Sequence, residues 1–297
     1  MTGPAPSHAV ICAGRLYCDL ILGGLDGMPE MGKERYAADF SAHAGGGAFI
    51  TAAHFVALGR AGHLLSQMPE GPFADLLRAD LDASGGSVLD GRTSPGGPPQ
   101  VTVAMVGERD RAFLTHRTGE AIPATSPASI RKSAAGHLHI GELPTALDHP
   151  ELLATARACG MTISLDCGWD EGAFRNRQVA HVLTQIDVFL PNAPEAAALA
   201  EAGIDLTSCP LPIVKQGAAG ATAYHSGRTV HRPADPVRVV DPTGAGDAFN
   251  AGAVDAWLRG AAPEACVTAG NAQGQAAVTR RGGATGLCRP ASAAVLT

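Results

Sequence analysis

The chain of 297 residues has few aromatic residues (4%), few charged residues (17%) and no block of Lys and Arg. Its net charge of −6 argues against nucleic acid as the main partner, since a phosphate backbone requires clustered basic side chains. No run reaches the ~18 apolar residues of a membrane-spanning helix, and the N-terminus has neither the charged nor the apolar region of a signal peptide. We therefore expect a cytoplasmic protein with no nucleic-acid or membrane partner.

Two familiar kinds of cysteine and glycine motif are also missing. The seven cysteines are odd in number, widely spaced and without a C-x-x-C pair, which argues against a disulfide framework or a zinc site. There is no Walker A sequence, G-x-x-x-x-G-K-[ST], and no G-x-G-x-x-G after the first predicted strand. If the protein binds ATP, it must therefore use a different phosphate-binding loop.

Short apolar strands alternate with helices over most of the chain, which predicts a mostly parallel sheet. The predicted strands are 8–13, 137–140, 162–165, 188–190, 211–214 and 237–240, and the predicted helices are 48–58, 73–83, 149–159, 176–184, 194–202, 248–259 and 269–278. Right-handed crossovers between successive strands would place helices on both faces of a doubly wound α/β sheet. No linker or internal repeat interrupts the pattern, so we predict a single domain over residues 1–297.

The first half of the chain breaks this alternation. Segments near 16–24, 35–40 and 100–116 have strand character, with no helices between them, and polar residues 107–110 suit a hairpin turn within the last segment. Such extra strands predict a small second sheet that projects over the site. We expect its lid segments near 16–40 and 100–116.

The segment 237–250 is the most informative part of the sequence. An apolar run is followed by Gly244 and Gly246 and then by a helical pattern. A glycine turn that leads into a helix points unpaired backbone N–H groups toward one spot, which attracts a phosphate or a developing anion. Asp247 lies at the mouth of that spot, where a carboxylate could accept a proton from an attacking hydroxyl. It could equally be a helix cap, and the residues by themselves leave both interpretations open.

The motif Asp-x-Thr-Gly-Ala-Gly-Asp-x-Phe, which ends at Phe249, resembles the C-terminal signature of the PfkB, or ribokinase-like, family of carbohydrate kinases. The resemblance implies a ribokinase-like fold with a β-lid and ATP-dependent phosphorylation of a hydroxyl on a sugar or sugar-like small molecule. It implies that Asp247 is the catalytic base. It also implies that Gly244, Ala245 and Gly246 form the anion hole for the transferred phosphoryl group.

A second motif, Asn192-x-x-Glu195, follows the predicted strand 188–190. The residues alone also suit a helix start, because Pro194 and Glu195 are favourable in a first turn. The resemblance implies that Asn192 reaches the nucleotide phosphates and that Glu195 holds Mg²⁺ through water. A single carboxylate suffices, because Mg²⁺ keeps most of its waters and binds phosphate oxygens as well.

The resemblance implies two further groups of ligand-binding residues. The nucleotide would be lined by Lys215, Gly217, Gly220 and Asn271. A monovalent cation, K⁺, would be bound by Asp241 and by carbonyl groups at Thr243, Ala277, Arg280 and Gly282, close enough to tune the anion hole.

On the substrate side, the resemblance implies hydroxyl binding by Asp19 and Glu142 and close approach of the sugar to Gly45 and Gly46. The family signature Gly-Gly-x-x-x-Asn has Ile50 in place of Asn, which we interpret as an apolar wall facing the substrate. A nucleoside kinase of the same fold and a catalytically silent sugar-binding or regulatory protein are the alternatives. We expect a homodimer with a small-molecule sugar or nucleoside substrate.

Overall fold

The computed structural model describes residues 9–89, 100–107, 111–124 and 127–287, which form two β-sheets. The larger sheet has nine strands in the order β13-β12-β11-β10-β9-β8-β1-β4-β5. Their bounds are β1 (Ala9–Ala13), β4 (Gly62–Leu65), β5 (Ser87–Val88), β8 (Ala135–Ile140), β9 (Thr162–Asp166), β10 (Val188–Leu190), β11 (Leu211–Lys215), β12 (Ala221–His225) and β13 (Arg228–Arg232). The strands from β5 to β11 pair in parallel, and only β12 and β13 are added antiparallel.

Helices cover both faces of the nine-stranded sheet. In β1, Val10 and Cys12 belong to one hydrophobic cluster, whereas Ile11 and Ala13 belong to the other, because alternate residues of a strand face opposite sides. The first cluster is closed by α1 (Gly47–Ala57), α2 (Ala74–Ser84), α9 (Ala245–Leu258) and α10 (Pro263–Val278). The second is closed by α3 (Pro127–Lys132), α4 (Leu143–Asp148), α5 (Pro150–Ala158), α6 (Glu171–Phe174), α7 (Val179–Thr184) and α8 (Ala193–Glu201). The predicted doubly wound, mostly parallel fold is confirmed.

The smaller sheet has four strands in the order β3-β2-β6-β7, and we call it the lid. Its strands are β2 (Tyr17–Leu25), β3 (Asp39–Gly45), β6 (Val101–Gly107) and β7 (Arg111–His116). Strands β6 and β7 pair antiparallel from Val101↔His116 to Val106↔Arg111, as the predicted hairpin requires. Residues 108–110 of its turn lie outside the described residues.

Three of the predicted elements differ from the structure. Residues 237–240 were predicted as a strand, but they have irregular backbone, and the Val237, Val239 and Val240 side chains are exposed. The Val240 N–H donates to the Val278 carbonyl, so this segment lies against the C-terminal end of α10 instead of joining a sheet. The predicted helix 176–184 is the shorter helix α7, which begins at Val179, and α6 ends before the predicted range. Helix α9 begins three residues earlier than predicted, at Ala245, so that Asp247 lies in its first turn.

Candidate active site

The predicted site residues gather where the parallel strands of the larger sheet end. Glu142 follows β8, Asn192 follows β10, and Lys215 is the last residue of β11. Helices α4 and α8 begin at the same edge, because they directly follow β8 and β10. The start of α1 lies there as well, since it contacts Gly141, which follows β8, and Asp247 of α9. In open parallel sheets this edge is the usual place for a ligand.

The first turn of α9 presents backbone donors at this edge. Its N-cap, Gly244, has a left-handed φ of 74°, and the first intrahelical bond runs from the Ala248 N–H to the Gly244 carbonyl at 2.8 Å. The N–H groups of Gly246 and Asp247 precede that bond and have no partner within the helix. The start of α9 can therefore bind an anion.

Asp247 is the third residue of α9 and points toward the start of α1. A Cβ atom at Gly47 would lie 3.0 Å from Asp247 Oδ1, which shows how close the two helix starts are. Burial, followed by the neighbouring carboxylate of Asp166, raises the pKa of Asp247 to about 7, while the Lys215 ammonium acts in the opposite direction. A carboxyl group with this pKa can gain or lose a proton near neutral pH, as a general base must.

Asn192 and Glu195 form a complete capping box at the start of α8. Asn192 Oδ1 accepts the Glu195 N–H at 2.9 Å, and Glu195 Oε2 accepts the Asn192 N–H at 2.8 Å. Glu195 is buried, and burial and the Asp166 carboxylate raise its pKa to about 7. The capping bonds use only Oε2, so that Oε1 is left for a ligand.

A polar cluster that the sequence did not indicate lies under the first turn of α9. Lys215 Nζ donates to Asp166 Oδ1 at 2.8 Å and to Asn250 Oδ1 at 3.1 Å, and Asn250 Nδ2 donates to Asp166 Oδ2 at 2.6 Å. The spacing of Asn250 three residues after Asp247 was a usable signal, since residues i and i+3 share a helix face. Lys215, predicted to line the nucleotide, thus has its ammonium inside this cluster.

The other predicted nucleotide residues lie beside the end of β13. Asn271 is buried, and its Nδ2 donates to the carbonyls of Arg232 at 3.0 Å and Pro233 at 3.2 Å. A Cβ atom at Gly220 would overlap the Arg232 carbonyl, so the backbone packs closely there. Gly217 has open space around it. The structure therefore brings Gly220 and Asn271 together around the chain that leaves β13.

On the lid side, Asp19 lies directly over Gly45. A Cβ atom at Gly45 would overlap the Asp19 carboxylate, which would have to move. At Gly46 the φ is 98° and a Cβ atom would overlap the Arg15 carbonyl, so this position requires glycine. Burial raises the pKa of Asp19 to about 7. Glu142 Oε1 accepts the Thr145 hydroxyl at 2.8 Å, and burial raises its pKa as well.

A cavity of about 430 Å³ opens between the lid and the ends of β8 and β9. Its walls are Tyr17, Thr102, Thr115, Arg117, Glu142, Pro144, Gly168, Trp169 and Asp170. Trp169 is 60% exposed, and Arg117 is paired with Asp170 at 2.9 Å. Of these residues, Glu142 was predicted to bind a substrate hydroxyl. Sequence reasoning missed Tyr17, Trp169 and Asp170, because no local pattern marks them.

The model of the pfkB family of carbohydrate kinases matches residues 10–290 of this chain. The chain belongs to the pfkB family. The ATP-dependent ribose-1-phosphate kinase of Halopiger xanaduensis is 29% identical over 97% of this chain and 98% of its own length. Among solved structures, the nucleoside kinase of Methanocaldococcus jannaschii superposes with a TM-score of 0.78 at 19% identity, covering 96% of this chain and 95% of that one. Arabidopsis thaliana ribokinase complexed with ribose and ATP superposes with a TM-score of 0.73 at 19% identity, covering 93% and 94%. These two likenesses show the shared fold.

This pfkB-family protein is an ATP-dependent kinase whose acceptor is a hydroxyl group of a sugar or sugar-like small molecule, as predicted. Within the described residues, no helix combines the length and hydrophobicity needed to cross a membrane.

The surroundings of Ile50 differ from those predicted from its position in the family signature. Ile50 is only 4% exposed, and its side chain packs against Gly244 and Gly283, where added Cβ atoms would lie 3.1 and 2.7 Å from it. One turn later, His54 Nε2 lies 3.1 Å from the Gly283 carbonyl. Burial lowers the pKa of His54 to about 4, so the neutral ring donates this bond. The interpretation of Ile50 as a wall facing the substrate is therefore wrong, since it supports the turn before α9 from below.

The residues predicted to bind K⁺ join two segments of the kinase. Asp241 Oδ1 accepts the Thr243 N–H and Oδ2 accepts the Gly282 N–H, both at 2.8 Å. The Ala277 carbonyl accepts the Arg280 N–H at 3.1 Å. Although burial opposes it, these donors lower the pKa of Asp241, which holds the carboxylate ionised. In the part of the chain that the structure describes, no three His, Cys, Asp or Glu side chains are grouped to hold a metal ion.

Proposed function

We propose that this kinase transfers the γ-phosphoryl group of ATP to an acceptor hydroxyl that Asp247 deprotonates. The observation that carries the proposal is the position of Asp247, in the first turn of a helix whose free N–H groups face the same edge of the sheet. A base for the nucleophile and donors for the transferred group are the two requirements of phosphoryl transfer.

In this reaction the acceptor oxygen attacks the γ-phosphorus in line, the bond from that phosphorus to the β–γ bridging oxygen breaks, and ADP leaves. The proton of the acceptor hydroxyl passes to the Asp247 carboxylate. Backbone N–H groups at Gly244, Ala245 and Gly246 would donate to the oxygens of the transferred group and stabilise their negative charge. This requires the Ala245 N–H to give up its 3.4 Å bond to the Pro242 carbonyl. Asn192 would reach the nucleotide phosphates, and the nucleotide would lie along Gly217, Gly220 and Asn271. Mg²⁺, held by Glu195 through water and by the phosphates, supplies charge neutralisation when bound.

Glu195→Gln tests the metal assignment. Because glutamine keeps an oxygen for the Asn192 N–H, the capping box survives, whereas the negative charge that holds the hydrated ion is lost. We expect the Mg²⁺ concentration for half-maximal rate to rise by about tenfold. Loss of a residue that supports a metal site typically lowers metal affinity by about 10–100-fold. The measurement is initial rate against Mg²⁺ at saturating ATP. Glu201→Gln, an exposed change in the same helix, is the control. An unchanged Mg²⁺ titration would leave Glu195 as a cap only.

Three further features belong to the same proposal. Asp241 joins the segments at 241–243 and 280–282, which supports K⁺ binding by Asp241 and by the carbonyls of Thr243, Ala277, Arg280 and Gly282.

The lid carries exposed apolar side chains at Phe40, Phe113 and Leu114, which support a homodimer. The absence of clustered cysteines supports a cytoplasmic location.

For the acceptor, we infer a neutral molecule bound in the cavity beneath the lid. Both arginines beside the cavity already have acidic partners, since Arg117 pairs with Asp170 at 2.9 Å and Arg15 lies 3.7 Å from Glu142. Carboxylates accept hydrogen bonds from sugar hydroxyls, whereas they repel a phosphate. A phosphorylated acceptor, suggested by the name of the Halopiger relative, would require Arg117 to leave Asp170.

A nucleoside is the second candidate acceptor, because Trp169 offers an exposed ring to the cavity. Base stacking on an aromatic side chain is worth ~1–3 kcal/mol, equivalent to roughly 5–150-fold in affinity. ATP consumption should be measured against a panel of sugars, sugar phosphates, sugar acids and nucleosides. If nucleosides are preferred, we expect Trp169→Leu to raise their KM by about tenfold or more. Phe113→Leu, at an exposed lid aromatic outside the cavity, should leave it unchanged. Equal KM values in both variants would exclude stacking on Trp169.

A further inference from the structure

The cluster of Lys215, Asp166 and Asn250 joins three elements that meet under the proposed anion site. Asp166 ends β9, Lys215 ends β11, and Asn250 lies in α9. Each residue bonds to the other two, at 2.8, 3.1 and 2.6 Å. Asn250 is fully buried, and the Lys215 and Asp166 side chains are only 12% and 11% exposed. A closed set of bonds between buried groups holds its members in one geometry.

This cluster lies next to the first turn of α9. Asn250 follows Asp247 by three residues, and a Cβ atom at Gly246 would lie 3.4 Å from Lys215 Nζ. The ammonium therefore lies immediately below the turn that holds Asp247 and the backbone donors. A shift of this turn by 1 Å is enough to cost on the order of 10²-fold in rate.

The charged groups that face Asp247 come from four elements. They are Asp166 on β9, Lys215 on β11, Asp19 on β2 and Glu195 on α8. Helix α1 contributes Gly47 and Thr51, which are uncharged. Asp166, Asp19 and Glu195 raise the pKa of Asp247, while Lys215 lowers it.

The sheet surface below the cluster adds polar groups without charge. His137 Nε2 and His139 Nδ1, two residues apart on β8, both lie 2.8 Å from Ser164 Oγ. Burial lowers the pKa of His139 to about 4, so it is neutral beside Asp166 and Lys215. For Lys215, burial would lower the pKa, but the Asp166 and Glu195 carboxylates outweigh it, so the ammonium stays protonated. Lys215 thus carries a permanent positive charge in a buried site.

We propose that Lys215 is a positioning residue for phosphoryl transfer: through Asp166 and Asn250 it fixes the first turn of α9, and it supplies positive charge facing Asp247. The proposal rests on the proposed role of Asp247, and it replaces the assignment of Lys215 to the nucleotide. It separates two effects, since Asn250 contributes geometry alone, whereas Lys215 and Asp166 contribute geometry and opposite charges.

The pH profile of kcat/KM for the acceptor distinguishes these effects. Asp247 acts as a base when ionised, so the rate falls on the acid side as it becomes protonated. Removing the positive charge in Lys215→Met should move this acid limb to higher pH, whereas Asp166→Asn should move it to lower pH. Each shift should be about one pH unit, because a charge within ~4–6 Å typically changes a carboxyl pKa by 1–3. Asn250→Leu should lower kcat by about tenfold or more without moving the limb.

The experiment compares these variants with Lys132→Met, an exposed change of the same type in α3. The KM for ATP should stay within about twofold of wild type in Lys215→Met. The double variant Lys215→Met/Asp166→Asn, which loses both charges, should return the acid limb to near the wild-type pH. If Lys215→Met does not fold by circular dichroism, Asp166→Asn and the double variant give the same test.

An ATP KM raised tenfold with kcat and the acid limb unchanged would overturn the proposal in favour of a nucleotide contact. Shifts of the same sign in Lys215→Met and Asp166→Asn, or no shift in either, would also overturn it. Asp247→Asn separates this failure from failure of the proposed function. If Asp247→Asn keeps its turnover, the base assignment fails, whereas if it is inactive and the acid limb is unmoved in the other variants, only the role of Lys215 fails.

Discussion

Replacing Asp247 with Asn is expected to lower kcat by at least ~10²-fold, because a general base typically contributes 10²–10⁴-fold to the rate. Asparagine has nearly the same shape but cannot accept the proton of the acceptor hydroxyl. The backbone donors at the start of α9 remain, so the KM for ATP should change little. Steady-state kinetics with both substrates varied measure the two effects separately.

The same assignment predicts how the wild-type rate depends on pH. Because the pKa of Asp247 is raised to about 7, kcat/KM for the acceptor should fall as the pH decreases through that value and the carboxyl becomes protonated. In Asp247→Asn the residual rate should depend less steeply on pH in this range, where Asp19 and Glu195, whose pKa values are also raised to about 7, still titrate. Asp235→Asn, the same substitution at an exposed position, is the control. Turnover of Asp247→Asn close to wild type would show that another group takes the proton.

Gly244→Ala is expected to lower kcat by about 10²-fold or more, the usual loss when a donor to a developing anion is misplaced. Gly244 has a φ of 74°, and an added Cβ would lie only 2.5 Å from Gly283 Cα and 3.1 Å from Ile50. The turn cannot keep its place with this methyl group, because the nearest contact is backbone. The N–H groups that begin α9 must therefore move.

Gly260→Ala is the matched control for this change. Gly260 also has a left-handed φ, 78°, but an added Cβ meets nothing within 4 Å. Both variants carry the backbone strain of a left-handed alanine, ~1–2 kcal/mol, and both should lose thermal stability. Only Gly244→Ala should lose activity beyond that. Equal activities in the two folded variants would contradict a role for the Gly244 turn.

The position of Ile50 shows why a signature residue can be assigned a wrong environment. The resemblance to the family signature places it at a position for a hydroxyl-binding Asn, but its side chain packs under Gly244 and Gly283. The distance along the chain between Ile50 and these glycines is large, so no local pattern could indicate the contact. The cavity beneath the lid raises the same difficulty, because Tyr17, Arg117 and Trp169 come from separate segments.

The sequence by itself determined the elements whose cause is local. Apolar runs specified the parallel strands β1, β8, β9, β10 and β11, although not β4 and β5. The segment Asn192-x-x-Glu195 indicated a helix start, where the two bonds of the capping box join residues three apart. The glycine turn before Asp247 specified the start of a helix for similar reasons, although its boundary was misplaced by three residues.

Only the tertiary structure decided which distant side chains meet. Residues 237–240 have the composition of a strand, yet they lie against the C-terminal end of α10 without joining a sheet. The family resemblance assigned Lys215 to the nucleotide, whereas its ammonium bonds to Asp166 and Asn250, 49 and 35 residues away in the chain. Such contacts depend on the order of strands in the sheet and on the packing of α9 against it, and a pattern of neighbouring residues contains neither.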